Sequence, residues 1–152
     1  IGYCACPPAL AKAVTKLQGQ CTSGASSIAQ KAAEAAYTGP QDCVDEMRKA
    51  FERRRDLVVR LARQIPGIKV NEPQGAFYLF PEITSYYGKS AHGQTITSDS
   101  DLAMYLLNVA HVATVSGSAF GTPGYIRLSY ATSDENLVEA FRRITAALAE
   151  LK

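Results

Sequence analysis

Long apolar runs are missing from this 152-residue chain. No stretch approaches the ~20 residues a membrane-spanning helix needs, so no membrane partner is expected. Excess charge of either sign is missing as well. Sixteen Lys and Arg face fourteen Asp and Glu, and a net charge of +2 is too mild to predict a nucleic-acid partner. Cysteine is scarce and confined to the start: Cys4, Cys6, Cys21 and Cys43 leave the remaining residues nothing to staple. Reduced thiols are the expectation, not a disulfide framework. The cysteines include Cys-Ala-Cys but no C-x-x-C pair, and His92 and His111 do not sit at metal-ligand spacing, so no metal site is expected. An initiator Met, a signal peptide and a transit-like segment are also lacking ahead of Ile1, which predicts a cut at that point. What remains is ordinary for a globular domain, with 47% hydrophobic and 20% charged residues, enough for one core.

The chain reads as two parts. Residues 1–40 are small and polar. Pro7-Pro8 open a short helix with Ala9, Leu10, Val14 and Leu17 as a rough stripe, and a turn at Thr22–Ser27 leads into an alanine-rich helix from Ile28 to Tyr37. So thin an apolar face offers little burial by itself. Gly39-Pro40 then breaks the helix.

Residues 41–152 have the pattern of a complete small domain. Val44, Met47, Phe51, Val58, Leu61 and Ile65 keep helical spacing up to Pro66-Gly67. Within that helix Arg53-Arg54-Arg55 points in three directions, which predicts a solvated face. Strands are expected near Ile68–Val70 and Gly75–Phe80, and again at Val112–Val115 and Tyr125–Ala131. Between the pairs lies a helix capped by Ser98 or Ser100, with Leu102, Leu106 and Val109 inward. Ser133 caps the last helix, where Leu137, Phe141, Ile144, Leu148 and Leu151 recur at spacings of four and three. Tyr86–Thr97 reads as a long loop. The order predicts an α/β domain of the α+β kind: a mixed, largely antiparallel sheet with its helices on one face.

The most informative stretch is Ser116–Ala131, a Gly-rich turn followed by an alternating strand. Ile126, Leu128 and Tyr130 share one face of that strand, while Tyr125, Arg127 and Ser129 share the other. A guanidinium in mid-strand calls for a carboxylate or phosphate, which its planar fork grips through two parallel hydrogen bonds. The plainer reading is a half-exposed arginine on an edge strand.

The turn Gly117-Ser-Ala-Phe-Gly121 with the strand Tyr125-Ile-Arg-Leu-Ser-Tyr-Ala131 resembles the C-terminal signature of class I, fold-type I, pyridoxal-phosphate-dependent aminotransferases. Glu72–Phe80 resembles the small-domain strand of that family, and Leu17–Gln30 the stretch after its cofactor lysine. The likeness runs over nearly the whole chain and is nearest to the bacterial-type aspartate/prephenate branch. It departs at Ser116-Gly117, where the family usually has proline before the glycine. The resemblance implies that Arg127 binds the substrate α-carboxylate and that the Phe77 ring faces the substrate pocket, although core packing serves Phe77 equally well. Thr22 and Ser23 would approach the cofactor phosphate of the partner subunit, or else cap the helix that follows.

The resemblance also implies residues 1–40 as the end of the large cofactor-binding domain and the interdomain helix, and 41–152 as the small C-terminal domain. The implied parent is a homodimer that uses pyridoxal 5'-phosphate on amino-acid and 2-oxo-acid substrates of aspartate or glutamate type, in the cytoplasm or plastid stroma. In the family the cofactor lysine precedes the position of Ile1. This chain is therefore expected to carry no catalytic residue and to be inactive alone. A lyase or synthase on the same scaffold would use Arg127 in the same way, and a stand-alone binding module is the remaining alternative.

Overall fold

Pro8 opens helix α1 (Pro8–Cys21) at a position whose N–H would have no intrahelical acceptor, so its missing donor costs nothing. In the computed structural model, which describes residues 1–152, α1 and α2 (Ser27–Thr38) lie in the first of two compact units, Ile1–Asp45. Neither helix buries a residue. Leu10, Leu17, Ile28 and Tyr37 all stand exposed, as the thin alanine face predicts. Gly39 caps the end of α2, where its N–H reaches the Ala35 carbonyl and a Cβ would meet that same oxygen at 2.8 Å.

Helix α3 (Asp42–Ala62) begins in that unit and continues into the second, Glu46–Lys152. Its predicted stripe is only half used. Val58, Val59 and Ala62 are buried, with Ile65 just beyond, while Val44 and Met47 remain exposed. Arg53 is solvated as expected, at 61% exposure, whereas Arg54 and Arg55 are half-buried. Arg53 and Arg54 share one partner, Asp134, at 3.0 and 3.2 Å, because long side chains on adjacent positions can bend toward one carboxylate.

The second unit contains β1 (Tyr78–Leu79), the hairpin β2 (Ser90–Ala91) and β3 (Gln94–Thr95), then β4 (Val115–Ser116) and β5 (Ile126–Ser129). β5 is central in a three-stranded sheet ordered β1-β5-β4, and every pairing is antiparallel. Strand extents are shorter than the alternation suggests. Gly75–Phe77 form a turn, with Ala76 at φ 58°, so only Tyr78 and Leu79 of that stretch enter the ladder. Lys69 contributes a single bridge to Glu82, and the Val112–Val115 strand shifts to Val115–Ser116. The supposed loop Tyr86–Thr97 holds the β2–β3 hairpin. Its two turn residues, His92 (φ 52°) and Gly93 (φ 74°), both have the positive φ that a tight hairpin turn demands.

Helix α4 (Asp99–Tyr105) starts where Ser98 Oγ accepts the Asp101 N–H, and it continues as a wider π-helical turn over Leu106–Ala110. Ser133 caps α5 (Asp134–Ala149) by accepting the Asn136 N–H at 3.3 Å. The core gathers Val58 and Val59 of α3, Leu102, Tyr105 and Leu106 around α4, and Leu137, Phe141, Ile144 and Leu148 of α5 against Leu79 and Ile126 of the sheet. That packing leaves the opposite face of β5, which carries Arg127, outside the core.

Candidate functional site

The outer sheet face follows from the pleat. Tyr78 pairs with Ser129 and Val115 with Arg127, so Tyr78, Val115, Arg127 and Ser129 project to one side. Glu82 bridges Tyr125 on the same side, and Phe80 lies between Tyr78 and Glu82 by alternation. On the inner side Ile126 and Tyr130 are almost fully buried, at 1% and 2% exposure. The alternation read from the sequence is thus the one the sheet adopts.

Arg127 is half-buried and sits between two aromatic rings. Its guanidinium carbon is 4.3 Å from the Tyr78 ring centre and 4.2 Å from that of Phe120. Phe120 meets Phe80 edge-on at 6.4 Å, and Phe80 stacks on Tyr125 at 5.3 Å. Stacking holds a guanidinium through its faces and is worth about 0.5–2 kcal/mol. It leaves the N–H groups around the edge free. Three arginines are half-buried: Arg54 is paired with Asp134 and Arg55 with Asp56, whereas Arg127 has no carboxylate partner. A cation held in place with its donors unspent is suited to receive an anion from solution.

The turn that delivers Phe120 is tightly determined. Residues Gly117–Phe120 form one 3-10 turn between β4 and β5. A Cβ on Gly117 would lie 2.2 Å from the Thr122 carbonyl oxygen and 2.8 Å from that of Tyr125, so only glycine fits. Ser118 donates its N–H (2.6 Å) and its hydroxyl (2.8 Å) to the two carboxylate oxygens of Asp99, the first residue of α4. Asp99 is 2% exposed. Burial pushes its pKa up, but the hydrogen bonds from Ser118 and from the backbone outweigh that and hold it below the usual carboxylate range.

Phe77 lies at the end of the Gly75–Phe77 turn, 36% exposed, so it is not a core residue. Its ring packs on Tyr78 at 4.5 Å and on Phe51 at 5.7 Å. Phe77 and Arg127 therefore flank the same tyrosine. Tyr78 and Phe120 escaped the sequence reading. The pairing of β1 with β5 would have exposed Tyr78, but no local pattern brings the ring of a 3-10 turn over a strand residue.

Thr22 and Ser23 stand in the first unit, exposed, in the turn before α2. The capping role is corrected: Ser26 occupies the N-cap position and makes no side-chain cap bond, so neither Thr22 nor Ser23 caps the helix. Ser23 adopts φ 64°. Thr22 Oγ1 accepts a hydrogen bond from the Gln18 amide. Ser26 and Ser27 at the start of α2 are exposed as well.

Residues 1–144 match the family model described as aminotransferase class I and II. The chain is 48% identical to an aspartate aminotransferase of Rhizobium meliloti strain 1021, over 97% of its own length and 36% of that protein. It is 47% identical to an aspartate/prephenate aminotransferase of Cereibacter sphaeroides, over 99% of its length and 38% of the relative. Among solved structures, the aspartate aminotransferase from Rhizobium meliloti superposes with a TM-score of 0.89 at 46% identity, covering 96% of this chain and 37% of the other. The chain thus spans little more than a third of the length of the relatives it matches.

Proposed function

The chain belongs to the aminotransferase class I and II family, and from that membership we propose that its outer sheet face binds the α-carboxylate of an amino-acid substrate through Arg127. The reaction is transfer of an amino group between an amino acid of aspartate or glutamate type and a 2-oxo acid, in a homodimeric enzyme. One observation carries the reading: Arg127 is half-buried, fixed between Tyr78 and Phe120, and has no carboxylate partner.

The residues divide the work. The Arg127 fork takes both carboxylate oxygens and so fixes the direction of the bonds at the α-carbon. Tyr78 and Phe120 keep the fork from rotating, so less freedom is lost when substrate arrives. Phe77, packed on Tyr78, walls the pocket on that side. Binding at the carboxylate, remote from the reacting carbon, then serves orientation for the chemical step. Pyridoxal phosphate, which family membership implies, supplies an electron sink for the α-carbon when bound. Thr22 and Ser23 would approach the phosphate of the cofactor bound in the partner subunit, through their hydroxyls and backbone N–H groups. Recognition, not turnover, is the share of these 152 residues.

The test is Arg127→Lys in the complete enzyme. Lysine keeps the charge and loses the fork. Removing such a charge-assisted contact costs about 2–5 kcal/mol, or roughly 30-fold to several thousand-fold in kcat/KM. The loss is expected for every amino-acid substrate alike, because all carry the α-carboxylate, with cofactor affinity unchanged. Near-normal kcat/KM, or a loss for one substrate only, would remove Arg127 from this role.

A further inference from the structure

The carboxylate reading of Arg127 leaves one buried group without a task. Asp99 is the buried charged residue of the core, and it contacts neither Arg127 nor any other cation. Burying an unpaired carboxylate is costly unless hydrogen bonds replace the water it has lost. Here each oxygen accepts one bond from Ser118, Oδ2 from its N–H and Oδ1 from its hydroxyl, with the N–H groups of Asp99 and Ser100 adding to them. Ser118 sits two positions before Phe120 in the 3-10 turn, and the Phe120 ring rests on the Arg127 guanidinium at 4.2 Å. Gly117, on the other side of Ser118, donates its N–H to the Tyr125 carbonyl at 2.8 Å and has no room for a side chain. The turn is thus tied at two consecutive residues, to α4 and to Tyr125 just before β5.

We infer that Asp99 is a positioning residue for substrate binding, acting through Ser118 and Phe120 to set the plane of the Arg127 guanidinium; the inference rests on the proposed carboxylate role of Arg127. The physical route is short. The two charge-assisted bonds fix the orientation of Ser118. That orientation fixes where the backbone launches Phe120, and Phe120 with Tyr78 decides whether the Arg127 fork faces outward. A fork turned out of plane makes one good hydrogen bond with a carboxylate where two were available, so the effect appears in carboxylate affinity more than in overall stability.

The experiment measures binding of succinate, a non-reacting dicarboxylate, to the full-length holoenzyme, together with cofactor affinity and the urea midpoint. The variants are Asp99→Asn, Ser118→Ala, Phe120→Leu, Arg127→Lys and the double variant Asp99→Asn/Arg127→Lys. Asp99→Asn and Phe120→Leu are each expected to weaken succinate about tenfold, within the coupling range of residues in contact, with cofactor affinity retained. In the Arg127→Lys background, Asp99→Asn is expected to add almost nothing, because the fork it orients is gone. A merely structural residue would give the same loss in both backgrounds, and that additivity overturns the inference. If Asp99→Asn does not fold, Ser118→Ala, which removes one bond to the carboxylate, carries the same comparison. Succinate binding lost in Arg127→Lys but intact in Asp99→Asn, Ser118→Ala and Phe120→Leu overturns the positioning role alone. Unchanged binding in Arg127→Lys overturns the carboxylate reading and the positioning role with it.

Discussion

At the scale of single residues, the outer sheet face depends on positions where one atom too many has nowhere to go. Gly117 is the sharpest case. Its missing side chain is replaced by the Thr122 and Tyr125 carbonyls, at 2.2 and 2.8 Å from where a Cβ would sit. Both are backbone atoms and cannot swing aside as a flexible side chain would. Gly117→Ala is therefore expected to destabilise the fold by about 1–3 kcal/mol, the usual range for overpacking, read as a lowered urea midpoint. An unchanged midpoint would mean that the turn can open without cost. Arg127 was singled out in the sequence by its place in a motif that resembles the aminotransferase signature, because the strand pattern alone fits a half-exposed arginine equally well. Its two aromatic neighbours were not. Tyr78 reaches Arg127 through strand pairing and Phe120 through a 3-10 turn, and both contacts are set by tertiary structure.

At the scale of elements, helices were read more faithfully than strands. The α5 pattern from Leu137 to Leu148 and its Ser133 cap survive intact, since a sixteen-residue helix averages over many positions. The strands are two to four residues long, too short for alternation to fix their ends. The hairpin at His92-Gly93 was missed because histidine stands where asparagine or aspartate commonly marks such a turn. Helix α5 also carries a titration that can be tested. Glu139 receives hydrogen bonds from Arg142 and Arg143, in that order of effect, which lower its pKa from 4.5 to about 2. A carboxylate with a depressed folded pKa contributes stability that is fully present above its unfolded pKa and is lost as pH falls through the folded one. The Glu139 share is thus present at neutral pH and disappears between about 4.5 and about 2. Glu139→Gln should flatten part of the acid limb in a series of urea midpoints against pH. An identical slope in the variant would show that the exposed Arg142 and Arg143 contacts are screened out in solution.

At the scale of the whole molecule, burial is distributed unequally between the two units. In Glu46–Lys152, residues from α3, α4, α5 and the sheet close one core, and the chain end is pinned where Ser90 and Lys152 exchange backbone hydrogen bonds at 2.9 and 3.2 Å. In Ile1–Asp45, α1 and α2 bury nothing. The composition of residues 1–40 had announced this, since alanine stripes remove little apolar area from water. Helices of fourteen and twelve residues without burial are marginal in water, because nucleation is unfavourable and each turn adds little. Separate expression distinguishes the two parts. A segment spanning Gln41–Lys152, which keeps α3 whole, is expected to unfold in urea as one cooperative transition seen alike by circular dichroism and tyrosine fluorescence. A peptide spanning Ile1–Asp45 is expected to show weak helicity that declines gradually with temperature, with no transition. Cooperative melting of the peptide would show that its helices find a core in each other. A Gln41–Lys152 segment without a transition would show that its core closes only when the first unit is attached.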